Sequence, residues 1–112
     1  MLKTQVLSRS DDEIRARVEV TDALKQPLGL VHGGVFATLA DQLTSTATDK
    51  AISSQTSFLR PITDGHVNAT ARRRHSGRTT AVWEVDITDD EGRLCALVRI
   101  TLATWTAAGT RS

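Results

Sequence analysis

The stretch HGGVFATLAD, residues 32–41, determines how the chain is organised, because it marks the change from a loop to a helix. The loop is residues 26–29, where Pro27 lacks an amide donor and Gly29 tolerates unusual backbone angles. From Gly33 to about Asp49 apolar residues recur every four positions, which predicts a helix with one apolar stripe. That stripe is Val35, Leu39, Leu43 and Ala47. The other side carries mostly small residues, so we expect something to pack there as well: Gly34, Ala37, Thr38, Asp41, Ser45 and Thr48.

Alternating apolar and polar residues on both sides of this helix predict strands. Before it, 13–20 alternates with period two, which is typical of a half-buried strand. After it, 52–60, 67–74, 79–88 and 94–105 are each bounded by turn residues. Strands joined by short turns favour an antiparallel sheet. The predicted fold class is therefore α+β, with about five strands wrapped around one central helix.

The composition limits the classes of function. A chain of 112 residues predicts a single domain, 1–112, of which 106–112 is expected to be a loose tail. A net charge of +1 gives no general field for nucleic acid or an anionic membrane. Three His and one Cys show no ligand spacing, so no metal site is expected. The single Cys and the absence of a leader or apolar span point to the cytoplasm.

The helix carries two features that suit acyl chemistry. The unpaired amide of Gly33, at the positive end of the helix dipole, favours a developing oxyanion. Asp41 lies in mid-helix away from the apolar stripe, where its carboxylate is suited to attack a carbonyl or activate water. Eight positions separate the two residues, which is about 12 Å along a helix and too far to reach one carbonyl carbon. If both act, Asp41 comes from a second helix running antiparallel, which predicts a twofold homodimer.

Each of these residues also has a purely structural interpretation. Asp41 is suited to a solvated position, and Gly33 with Gly34 suits a tight turn. His32 is placed either to cap the helix or to take part in the site. The one basic cluster is either a solvated strand edge or a contact for the phosphate groups of a ligand; it comprises Arg72, Arg73, Arg74, His75 and Arg78.

The ordered motifs resemble one family. His-Gly-Gly, an apolar run and Leu-Ala-Asp at 32–41 resemble the hotdog-fold thioesterases, specifically the subfamily typified by phenylacetate-pathway acyl-CoA thioesterases. Ser57-Phe58-Leu59-Arg60-Pro61, the Gly77-Arg78 turn and Asp90-Glu91-Gly92-Arg93 extend the resemblance over roughly Glu13 to Trp105.

The resemblance implies a hotdog fold and hydrolysis of an aryl- or short- to medium-chain acyl-CoA to the free acid and coenzyme A. Coenzyme A is then part of the substrate, and no separate cofactor is expected. The resemblance implies a homo-oligomer, a dimer at minimum and a tetramer by analogy with the subfamily. The catalytic candidates are Asp41, Gly33, His32 and Gln26. The substrate-binding candidates are Gly34, Thr38, Ala51, Arg74, His75 and Arg78.

Three departures from the family pattern leave an alternative open. Gln26 stands where relatives commonly carry Asn, and Ala51 stands where many carry a hydroxyl that holds a water. Residues 1–12 show no counterpart of the helix that often precedes the first strand. The alternative is a hotdog protein that binds acyl-CoA with little or no turnover. A hotdog dehydratase or hydratase is less well supported, because the Phe-Pro-Gly of acyl-carrier dehydratases is missing after His32.

Overall fold

The computed structural model describes residues 2–46 and 49–104, and these form one helix and six strands. The helix, α1, spans Gly33–Thr44 and follows a single helical turn at Asp22–Leu24. Two strands precede α1 and four follow it: β1 Thr4–Arg9, β2 Glu13–Glu19, β3 Asp49–Phe58, β4 His66–Ser76, β5 Thr80–Thr88 and β6 Leu94–Thr104.

The strands form one antiparallel sheet in the order β1-β2-β4-β5-β6-β3. The helix packs on one face, against β3, β4, β5 and β6. Alternate residues of β2 and β5, and of β4 as far as Ala71, are buried, which is why these strands alternate in sequence. The predicted α+β class, a sheet around one central helix, is confirmed. Its core is aliphatic, centred on Leu39, Val67, Val85, Ile87 and Val98.

The helix ends earlier than the predicted Asp49. Ser45 adopts an extended conformation, with φ −75° and ψ 141°, while its amide donates to Asp41 O. The Thr46 amide then donates forward to Asp49 O at 3.0 Å, and the Thr46 hydroxyl accepts from the Asp49 amide at 3.0 Å, so these bonds take the place of another helical turn. The apolar pattern that suggested a longer helix included Ala47, which with Thr48 lies outside the described residues.

One strand more is present than the pattern predicted. β1 lies at the edge of the sheet, and five of its six residues are exposed. An edge strand with no buried face needs no alternation of apolar and polar residues, which explains why the sequence pattern did not predict a strand over residues 4–9. β3 also begins earlier than the predicted residue 52, at Asp49, and it forms the opposite edge with no buried residue. Trp105 and the expected tail 106–112 lie outside the described residues.

Candidate active site

The start of α1 leaves one backbone donor available. His32 is the N-cap, and its Nδ1 accepts a hydrogen bond from the Gly34 amide at 3.1 Å. The Val35 amide donates to His32 O at 3.0 Å. Within the described residues the Gly33 amide has no acceptor, so it is the donor that a ligand can use. The capping interpretation of His32 is therefore observed, and an additional role in the site stays a prediction.

A loop of the chain places Gln26 at the same end of the helix. The Gln26 amide donates to Leu30 O at 2.8 Å, and Gly29, at φ 86°, closes the turn by donating to Gln26 O at 2.9 Å. A bridge between Lys25 and Val31 then aligns the two arms of the loop. Because both ends of this loop are hydrogen-bonded, Gln26 is held next to the helix start.

Gln26 and Gly33 share a pocket of about 440 Å³. A side chain at Gly33 would lie 2.8 Å from the ring of Phe58, so the missing Cβ lets that ring lie against the helix start. The rings of Phe36 and Phe58 are 6.2 Å apart and tilted by 37°, within the range of a favourable aromatic pair. The whole lining is mostly apolar: Gln26, Leu30, Val31, Gly33, Phe36, Phe58, Leu59, Arg60 and Pro61. The pocket suits an apolar acyl group with its carbonyl at the Gly33 amide.

Asp41 does not line this pocket. It is exposed on α1, and its Oδ1 accepts the Ser45 hydroxyl at 2.8 Å. Gly34 and Thr38 are exposed on the same face of the helix, about two turns and one turn before Asp41 respectively. The small-residue side of the helix, which we expected to be enclosed, is therefore not covered by the described part of its own chain.

The predicted phosphate contacts lie away from the pocket within one chain. Phe58 pairs with Ala96 near the start of β6, whereas Arg78 O accepts from Thr104 at its end. Eight residues of strand separate these two points, or about 26 Å. Arg74 pairs with Glu84 at 3.1 Å, and His75 and Arg78 are exposed.

Ala51, on β3, is exposed and pairs with Leu102. One chain therefore gathers Gln26, Gly33 and the capping His32, and it leaves the other predicted site residues elsewhere.

The structure adds two residue types that sequence reasoning did not assign to the site. Phe58 and Arg60 were noted only as part of the SFLRP motif, yet both line the pocket. Among the described residues Arg60 forms no ion pair, so its guanidinium is available at the pocket. The motif was the usable signal, because Arg60 directly precedes Pro61 and Phe58 lies two residues before Arg60, so the proline places both side chains at the end of a strand.

The remaining reactive groups do not form a second centre of this chemistry. Cys95 is buried, its Sγ contacts Arg93 O at 3.3 Å, and burial raises the pKa of its thiol, so it is a poor nucleophile. Across 2–46 and 49–104 no group of three or more His, Cys, Asp or Glu is placed to hold a metal ion. No helix in these ranges is long and apolar enough to cross a membrane.

These features define a class of protein. One helix packed on one antiparallel sheet, with a free amide at the helix start next to a mostly apolar pocket, is consistent with the hotdog fold. The thioesterase superfamily model matches residues 28–96. The chain belongs to this superfamily and is a thioester hydrolase, as the resemblance indicated.

Two relatives illustrate the range of the family. The chain is 33% identical to a protein named as an esterase in Pseudomonas aeruginosa, over 88% of this chain and 75% of that protein. It is 32% identical to the 1,4-dihydroxy-2-naphthoyl-CoA hydrolase of Escherichia coli, over 83% of this chain and 75% of the hydrolase.

Solved structures agree with the fold. A protein described as an esterase of Mycobacterium tuberculosis superposes with a TM-score of 0.88 at 32% identity, covering 93% of this chain and 92% of that one. The PaaI protein of the E. coli phenylacetic acid degradation operon superposes with a TM-score of 0.85 at 26% identity, covering 94% of this chain and 81% of that one. A thioesterase protein of Streptococcus pneumoniae, solved with coenzyme A, superposes with a TM-score of 0.86 at 26% identity, covering 98% of this chain and 89% of that one.

Proposed function

We propose that the protein hydrolyses an acyl-CoA thioester at a site built by two copies of the chain. One observation carries the proposal: Gln26 and the free Gly33 amide meet in one pocket, while Asp41 is exposed on the uncovered face of the same helix. A second helix running antiparallel brings Asp41 of the partner subunit to the pocket. A twofold axis then creates two equivalent sites.

The chemistry follows from these positions. The Gly33 amide and the Gln26 side-chain amide donate to the thioester oxygen and stabilise the negative charge that develops there. As a base, Asp41 of the partner subunit takes a proton from water, and the resulting hydroxide attacks the carbonyl carbon. The carbon–sulfur bond then breaks, and coenzyme A leaves as a thiolate that is protonated. Acting instead as a nucleophile, Asp41 would form a mixed anhydride that water cleaves in a second step.

The exposed edge supports the dimer. β3 is unpaired on one side, and Ile52 and Phe58 are 61% and 62% exposed. Pairing β3 with its counterpart in a second copy would satisfy the open edge and bury both side chains. The small residues of the helix face, Gly34 and Thr38, would allow the second helix to approach closely. A tetramer, and a cytoplasmic location, are carried over from the resemblance and the composition.

The spacing in a relative supports the roles of Gln26 and Asp41. A Staphylococcus aureus protein has been solved in two mutant forms, one with a glutamine replaced by alanine and one with a glutamate replaced by alanine. In that protein the glutamate follows the glutamine by fifteen positions. Gln26 and Asp41 have the same spacing. Glutamine at this place is thus shared with a solved thioesterase, which favours an active enzyme over a binding protein.

The pocket favours an aromatic acyl group. The Phe36 and Phe58 rings lie next to the Gly33 amide, so an aryl ring attached to the thioester carbonyl can pack against them. The relatives named 1,4-dihydroxy-2-naphthoyl-CoA hydrolase act on an aromatic acyl-CoA, which supports the same class here. Because His75 and Arg78 are far from the pocket in one chain, their proposed contact with the phosphates of coenzyme A requires another subunit.

Mixing two inactive variants tests the shared site. Asp41→Asn removes the carboxylate, and Gly33→Val fills the space against Phe58, so each homodimer has two broken sites. In a mixed dimer one site has both lesions, whereas the other combines an intact Gly33 with an intact Asp41. With random exchange about half the dimers are mixed, which restores about a quarter of the wild-type sites.

The experiment uses differently tagged chains and benzoyl-CoA as the probe. Folding of each variant is checked by circular dichroism, and mixed dimers are isolated through both tags. Activity in isolated mixed dimers supports the shared site. Mixed dimers no more active than the separate variants would show that each chain works alone. Wild-type protein that binds benzoyl-CoA but does not release coenzyme A would establish the binding protein instead.

A further inference from the structure

A second and larger cavity lies where β2 runs into the Asp22–Leu24 turn. Its volume is about 650 Å³, within the range of small-molecule sites. It adjoins β1 and β2, at the opposite side of the sheet from β3, and shares no lining residue with the Gly33 pocket. Its lining consists of Leu2, Lys3, Gln5, Arg17, Val18, Glu19, Thr21, Ala23, Leu24 and His66.

The least exposed part of this cavity is apolar. Val18 is 2% exposed and belongs to the main core, whereas Leu2 and Leu24 are half-buried and pack against it. Leu2 and Leu24 therefore offer an apolar surface to whatever enters the cavity. A ligand with a hydrocarbon body would release water from this surface.

Arg17 gives the cavity a positive charge. Three arginines are half-buried among the described residues, and two of them, Arg72 and Arg73, have carboxylate partners at 3.2 Å and 2.9 Å. Arg17 has none; its Nε donates to the Gln5 side-chain oxygen at 3.0 Å. A guanidinium that is partly removed from water and lacks a counter-charge is stabilised by an anion.

The other polar groups agree with an anion. Lys3 lies on the exposed rim and forms no ion pair among the described residues, while the one lining carboxylate, Glu19, is also on the exposed rim. His66 is held through Nδ1 by Asp90 at 3.0 Å and adds no donor for the ligand in its neutral form. The least exposed charged group of the lining is thus the cation Arg17.

We propose that this cavity binds a small organic acid. Its carboxylate pairs with Arg17 and Lys3, and its hydrocarbon part packs on Leu2 and Leu24. The apolar surface distinguishes this ligand class from inorganic phosphate, which would leave the exposed parts of these two side chains in water. The site is separate from thioester hydrolysis and does not depend on the function proposed above.

Titration of the full-length protein with hexanoate and benzoate, followed by NMR, tests the proposal. Acetate lacks the hydrocarbon part, 1-hexanol lacks the charge, and inorganic phosphate is the anion without an apolar body. Hexanoate and benzoate are expected to bind at least about tenfold more tightly than any of these three probes. Acetate or phosphate binding as tightly as hexanoate would overturn the proposed ligand class. The absence of any change in NMR chemical shifts with hexanoate and benzoate up to about 10 mM, a limit for weak binding, would overturn it as well.

Matched arginine variants locate the acid. Arg17→Gln should weaken hexanoate binding about tenfold, since it removes one charge-assisted pair. Arg15→Gln is the control, because Arg15 lies two residues away on the same strand, pairs with Glu13 and does not line the cavity. Arg60→Gln tests the Gly33 pocket. Loss of binding with Arg60→Gln or Arg15→Gln but not with Arg17→Gln would place the acid elsewhere and refute the proposal.

Discussion

Two surfaces of this protein differ in how their polar groups are satisfied. On the sheet, charged side chains of neighbouring strands pair with each other: Arg72 reaches Glu13 at 3.4 Å and Asp86 at 3.2 Å. Glu84 likewise lies between Arg74 and Arg99. Such cross-strand pairs keep a surface soluble without needing a partner, and each is worth little in free energy.

The other surface consists of β3 and the helix face that carries Gly34, Thr38 and Asp41. We call it the open surface. β3 is an unpaired edge with exposed Ile52, and among the described residues Asp41 has no cationic partner. The comparison teaches that Arg72 and Glu84 of the sheet are neutralised by neighbouring strands, while Asp41 lies without a cationic partner on the surface where we propose that a second copy completes the site.

The same substitution on both surfaces gives the largest expected difference. Asp41→Asn should lower kcat for benzoyl-CoA by at least about a hundredfold while the fold is kept, because it removes charge and basicity at constant size. Asp86→Asn is the control and should change kcat less than about twofold. Steady-state kinetics with a thiol reagent for released coenzyme A measures both. Comparable turnover by folded Asp41→Asn would remove Asp41 from the mechanism.

A charge on each sheet edge tests which edge is used for assembly. Ile52→Lys places a cation on the open β3 edge, so we expect the dimer to dissociate at least about tenfold more readily and activity to fall with it. Val6→Lys makes the same change on β1, where Val6 is 45% exposed, and should leave the dimer intact. Analytical ultracentrifugation measures both. An active species that sediments as a monomer would contradict the shared site.

Removal of one ring tests the aromatic acyl group. Phe58→Ala should lower kcat/KM for benzoyl-CoA about tenfold relative to hexanoyl-CoA, because the aryl ring loses its pair at the pocket. Leu28→Ala is the control, since Leu28 is 83% exposed and does not line the pocket. A parallel fall for both substrates would assign Phe58 to shaping the helix start rather than to selecting the acyl group.

The smallest expected effect concerns acid stability near the β5–β6 turn. Hydrogen bonds from Asn68 and then His66 lower the pKa of Asp90 below its ordinary value of 3.8. Their stabilisation is therefore present above that value and is lost as the pH falls through the lower folded pKa. The Asp90→Asn variant should have a slightly lower free energy of unfolding than wild type at pH 7, and this difference should vanish well below pH 3.8. Urea unfolding at pH 7 and at a pH well below 3.8 measures both free energies. A difference that stays constant between the two pH values would exclude the linkage.

How much of the fold was predictable depended on burial. β2 and β5, and β4 as far as Ala71, bury alternate residues, so their alternation was visible, and the helix stripe of Val35, Leu39 and Leu43 was visible for the same reason. β1 was missed and β3 misplaced at its start, because both are edges without a buried face. The end of the helix was misjudged because the Thr46 amide bonds forward to Asp49 O instead of back along the helix.

The sequence by itself determined the one-helix fold class, the family, and the candidates at the helix start, since these depend on local periodicity and on motifs of adjacent residues. The eight positions between Gly33 and Asp41 also showed that one helix holds the two residues too far apart to reach one carbonyl, because the rise per residue is a property of any α-helix. Only the tertiary structure decided that Phe58 and Arg60 meet Gly33, since the sheet order places β3 beside β6 and next to the helix. It also decided that Arg72 is neutralised by a carboxylate and that Arg17 is not. Strand pairing brings Arg72 to Asp86 and Arg17 to Gln5, and these registers depend on packing across the whole sheet.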